Sequence, residues 1–129
     1  MDKTTLVGPD IQEGRRFLDL LRGSGVPVKA ALWQKAASNW QAVFGDWSLK
    51  IVTPLVEDLG PKETYRRLDR ILAKAPERLS IDLLDVSVLT PRSWFYKNLR
   101  RDFPRARDLA VTMRPDGDGF SESFIYFVK

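Results

Sequence analysis

Trp94, Lys97, Asn98 and Arg101 recur at intervals of three and four residues, so at about 100° per residue they share one face of any helix that carries them. An indole set among cations can stack on a nucleobase while the charges meet phosphates, and such stacking is worth about 1–3 kcal/mol per base. Tryptophan and arginine also dominate protein interfaces, which makes an acidic protein surface the second partner this strip fits. Arg100, Arg105 and Arg107 continue the strip toward the C-terminus. Between Arg92 and Arg114 seven basic residues stand against two acids, Asp102 and Asp108, whereas the rest of the chain has a net charge of −1 within a total of +4. All of the positive excess therefore belongs to one contiguous stretch, the footprint that an anionic partner selects. Its plainer alternative is a solvated face with arginine serving solubility.

Much other chemistry is closed to this chain. It contains no histidine and no cysteine, which removes His-based triads, thiol nucleophiles, His-ligated metals and zinc clusters. Catalysis would fall to carboxylates, lysine, tyrosine, hydroxyls or a hard cation held by oxygens. A metal-dependent nuclease is the enzyme most worth testing, but no Asp-x-Lys or Glu-x-Lys occurs, and Ser48 and Lys50 stand where the acid and lysine of such a motif belong. Asp82, Asp85, Glu57 and Asp58 are the carboxylates that could still converge in space. Asp116-Gly117-Asp118-Gly119 has the start of a calcium loop, yet Phe120 and Phe127 occupy later ligand positions, so it reads as a hairpin turn. Gly23-Ser24-Gly25 leads into Val26-Pro27 and is no phosphate loop. No residue is assigned a catalytic role, and neither a cofactor nor a metal site is expected.

Eight elements must position these residues. A first helix follows Asp10 as N-cap, with Glu13 at the capping-box position and Gly23 as its left-handed stop. Ile11, Gly14, Phe17, Leu18 and Leu21 form its inner face, and a glycine inside that face predicts close approach to a sheet. Val28–Gln34 and Trp47–Val56 alternate as strands, the second with Trp47, Leu49, Ile51, Thr53 and Leu55 on one side. Pro54 argues for an edge or bulge near the end of that strand. The connection between them carries Trp40 and Phe44, two aromatics that either fold back on the sheet or meet a partner. Gly60-Pro61 opens a second helix, with Tyr65, Leu68, Ile71, Leu72 and Ala75 facing inward. Leu83–Leu89 is apolar enough for a central strand. Thr90 and Pro91 open a third helix, with Phe95, Leu99 and Phe103 inside and Trp94, Lys97 and Arg101 outside. Asp108–Arg114 and Ser121–Val128 close the chain as a hairpin.

The expected architecture is α+β, a mixed α/β sandwich whose five-stranded mixed sheet carries three helices in the order α-β-β-α-β-α-β-β. A chain of 129 residues, 43% of them hydrophobic, suits a single compact domain with residues 1–9 as a flexible extension. Its beginning lacks the apolar stretch of a secretory signal, and no apolar run approaches the roughly 18 residues of a membrane span. A cytoplasmic location without membrane contact is the expectation. The leading functional expectation is a non-enzymatic binding or adaptor domain that meets nucleic acid or another polyanion through Trp94, Lys97, Arg100, Arg101, Arg105 and Arg107. The alternative is an assembly subunit, in a homo-oligomer or a larger complex, docking through the Trp40/Phe44 loop or a sheet edge.

Overall fold

Strict alternation in two strands sets the centre of the sheet. In β1 (Ala30–Lys35) Ala31 and Trp33 face one way, and in β2 (Trp47–Val52) so do Trp47, Leu49 and Ile51; Ala30, Leu32 and Val52 face the other. Both faces are apolar, so both require cover. The computed structural model describes residues 8–35, 47–113 and 121–129. In it, helices α1 (Gly8–Gly23) and α2 (Leu55–Ala73) cover the first face, and α3 (Trp94–Asp102) covers the second. With β3 (Val86–Leu89), β4 (Arg107–Met113) and β5 (Ser121–Val128) the sheet has the order β3-β2-β1-β5-β4. Only β2 and β3 run parallel; the other neighbours are antiparallel. The α+β class, the five-stranded mixed sheet and the order of elements agree with expectation.

Several boundaries differ. Helix α1 begins at Gly8, so Asp10 lies within it, and the Glu13 carboxylate accepts hydrogen bonds from the Ser80 amide and hydroxyl instead of closing a capping box. The left-handed residue after α1 is Gly25 (φ 81°), not Gly23. Val26 N donates to Leu21 O and Gly25 N to Arg22 O, the paired bonds of a Schellman ending, with Val26 and Leu21 both in the core. Strand β2 stops at Val52, because Pro54 cannot donate to the ladder and instead precedes the first turn of α2. Thr53 and Leu55 therefore leave the strand, and Pro54 marks its end, not an edge. Gly60 (φ 80°) kinks α2, and Pro61 restarts it.

The apolar run after Asp82 is only partly a strand. Leu83–Asp85 forms a 3-10 turn, closed by the Asp82 carboxylate accepting from Leu84 N at 2.9 Å, and leaves Leu84 exposed. The strand that follows, β3, lies at an edge of the sheet and not at its centre. Tyr65 of α2 supplies the missing neighbour: its hydroxyl donates to Val86 O at 2.8 Å and accepts from Val88 N at 3.3 Å. Close approach at Gly14 is as expected, since a Cβ there would fall against Tyr126 Oη and 2.9 Å from Trp33 Nε1. Tyr126 is the extra residue where the β1–β5 register shifts between Ala31 and Leu32, so Tyr126 and Phe127 both pack on the α1 side. No helix among the described residues is long and apolar enough to cross a membrane.

Candidate nucleic-acid interface

Helix α3 starts at Trp94, not at Pro91. Thr90 closes a preceding turn, its hydroxyl accepting from Arg92 N, and Ser93 is the cap, its hydroxyl accepting from Tyr96 N at 3.2 Å. An N-terminus satisfied in this way needs no buried partner, so the helix can begin on an exposed residue. Its inner face is held by Tyr96 and Leu99, both buried, with Phe95 and Phe103 packed beside them. Tyr96 is 5% exposed, and its hydroxyl donates to Lys129 O at 2.6 Å. Lys50 of β2 lies 5.5 Å from the centre of the Phe95 ring, a cation on an aromatic face beneath the helix.

With the inner face committed to the core, 100° spacing directs Trp94, Lys97 and Arg101 to the opposite side. Trp94 is 80% exposed, and Lys97, Arg100 and Arg101 are exposed. An indole usually contributes a large buried area to a small domain. Here it contributes almost none to folding. Arg101 donates through Nε to Asp102 at 2.9 Å. That hydrogen bond, more than the charge itself, raises the Arg101 pKa, and the same bond holds the Asp102 carboxyl below its ordinary value against the opposing effect of desolvation. Lys97 and Arg100 make no ion pair with any described residue. Arg92, also exposed, lies 3.5 Å from Glu57.

The six residues of the strip do not form one row. Trp94, Lys97, Arg100 and Arg101 ride on α3, over one face of the sheet. Arg105 and Arg107 instead line a cleft with Arg15, Arg22 and Lys129, beside α1 on the other face. Backbone conformation accounts for the division: Arg105 (φ 59°) and Asp108 (φ 47°) are both left-handed. Arg107 pairs with Phe127 and lines the α1 side, whereas Leu109 pairs with Ile125, which lies under α3. Charge counting along the chain could not locate Arg15 and Arg22 in this group. Their spacing of seven, which places both on one face of α1, was the available signal.

Trp40 and Phe44, and the Asp-Gly turn at 115–119, lie outside the described residues. Glu57 and Asp82, two of the four carboxylates considered as metal ligands, have local partners or local roles. Glu57 accepts from the Thr90 hydroxyl and faces Arg92, and Asp82 caps its turn. Among the described residues, no group of three or more acids, histidines or cysteines is arranged to hold a metal ion. Protein-family models, characterised proteins and solved structures all yield no match to this chain.

Proposed function

We propose that this protein is a non-enzymatic, cytoplasmic binding module that takes single-stranded nucleic acid on the outer face of α3. The observation that carries the reading is the Trp94 ring, 80% exposed at the start of the face that carries Lys97 and Arg101, which α3 does not need for its own packing. A base stacks on the indole, while Lys97, Arg100 and Arg101 meet the flanking phosphates; neither contact depends on base identity. Single strands are favoured over duplex because stacked, paired bases offer no free ring face to Trp94. Fluorescence anisotropy with a labelled single-stranded oligonucleotide tests this. Trp94→Ala is expected to weaken binding by about fivefold to a hundredfold, the equivalent of one stacked base. Undiminished affinity in that variant would overturn the reading.

A second reading, self-assembly, draws on one feature of the sheet. Tyr65 covers the outer edge of β3, but no described residue hydrogen-bonds to the outer edge of β4, where Leu109 is 40% exposed. An uncovered edge is a template for another strand. Sedimentation velocity distinguishes the two: a concentration-dependent dimer lost on Leu109→Lys supports edge pairing, and a monomer at all concentrations opposes it.

A further inference from the structure

A second group of cations lies across the sheet from Trp94. Arg15 and Arg22 of α1, Arg105 and Arg107 at the entry to β4, and Lys129 border one cleft of about 540 Å3. Two carboxylates, Asp19 and Asp108, share it, so cations outnumber acids by three. Asp108 is engaged by Arg15 at 2.9 Å, whereas Arg22, Arg105 and Arg107 make no ion pair with any described residue. Bringing like charges together opposes folding, and an anion entering the cleft reverses the sign of that interaction.

Two further features point to a ligand and to its chemistry. Arg105 and Asp108 are non-glycine residues in the left-handed region, three positions apart, and both line the cleft. Backbone of this kind is disfavoured and concentrates at binding sites. Here it carries Arg107 to the α1 side. The aromatic rings are already occupied: Arg22 lies 4.8 Å and Lys129 5.7 Å from the centre of Phe127, and Arg15 lies 5.3 Å from that of Tyr126. Cations held on ring faces are pre-placed, and those faces are closed to a base. Recognition in the cleft is therefore by charge and guanidinium geometry, not by stacking.

We infer that this cleft binds a phosphomonoester group, with Arg22, Arg105 and Arg107 as donors to its terminal oxygens. Planar guanidinium forks match two phosphate oxygens at once, and a dianion with three such oxygens suits several arginines converging from two elements. The site uses none of the α3 residues and does not rest on the function proposed above. The group can come from a free phosphorylated small molecule or from the end of a nucleic acid strand; its chemistry is the same in both.

Calorimetric titration of the full chain with inorganic phosphate at low ionic strength is the test, repeated with the 5′-phosphorylated and 5′-hydroxyl forms of one oligonucleotide. Saturable binding of phosphate is expected, weakened at least about tenfold in Arg22→Gln/Arg107→Gln. Arg107→Lys, which keeps the charge and loses the fork, should fall between and guards against a folding defect in the double variant. Tighter binding of the 5′-phosphorylated strand identifies a strand end as the source. Equal binding of the two strands, with inorganic phosphate still bound, identifies a small molecule. The inference is overturned if phosphate does not saturate at millimolar concentration, or if a natively folded double variant binds it as well as the wild type.

Discussion

Gly14 has no side chain because Tyr126 stands where a Cβ would be. The Tyr126 hydroxyl donates to Ile11 O at 2.6 Å and accepts from Trp33 Nε1 at 2.9 Å, tying α1 to β1 and β5 through one buried oxygen. Gly14→Ala must displace that oxygen, and we expect a loss of about 1–3 kcal/mol, the cost of overpacking a dense core, measured by chemical denaturation. The glycine was legible as a point of close approach; its partners, Trp33 and the Tyr126 more than a hundred residues away, were not. Asp102 is the residue that moderates the α3 surface. Its carboxyl is held below the ordinary value chiefly by the hydrogen bond from Arg101. A lowered folded-state pKa means that the pair contributes above the ordinary carboxylate pKa, and that its contribution is lost as pH falls through the lowered value. Both side chains are exposed, so the effect belongs to binding more than to stability. Asp102→Asn should free Arg101 and tighten oligonucleotide binding by up to about fivefold at neutral pH. Wild-type affinity should show the same gain on acidification through that range, and the variant should not.

Element by element, apolar periodicity was a good guide to which face each segment buries and a poor guide to where it ends. The alternation along Trp47–Val52 and the two-sided pattern of α3 stand as read. Their limits moved because local bonds decide them: Ser93 capping Tyr96 N, Pro54 interrupting the ladder, Asp82 drawing Leu84 into a 3-10 turn. β3 departs from its expected central place for another reason. A strand rich in valine and leucine reads as central, but one edge of β3 is satisfied by a side chain, Tyr65, and not by a sixth strand. Tyr65→Phe deletes that cover and leaves Val86 O and Val88 N without their partner. We expect about 1–2 kcal/mol of destabilisation and faster hydrogen exchange at the Val88 amide, with little change elsewhere in the sheet. Exchange at Val88 equal to that of the wild type would contradict the assigned role.

For the molecule as a whole, strand order decides which charges become neighbours, and order was not readable from one sequence. Ala30–Gln34 pairs with Ser123–Val128 across most of the chain, an arrangement set by the fit of both faces and not by any local signal. That pairing separates a strip that is continuous in sequence. Trp94, Lys97, Arg100 and Arg101 stay with α3, and Arg105 and Arg107 join Arg15 and Arg22 at the cleft. The molecule thus has an exposed indole with three cations on one side of the sheet and a guanidinium-lined cleft on the other. The most direct test of the central claim is the salt dependence of single-strand binding by α3, measured as the slope of log Kobs against log salt. Three phosphate contacts, from Lys97, Arg100 and Arg101, predict a slope of about −2, falling toward zero when all three are replaced by glutamine. A flat slope in the wild type, or no binding even at the lowest salt, would contradict the account.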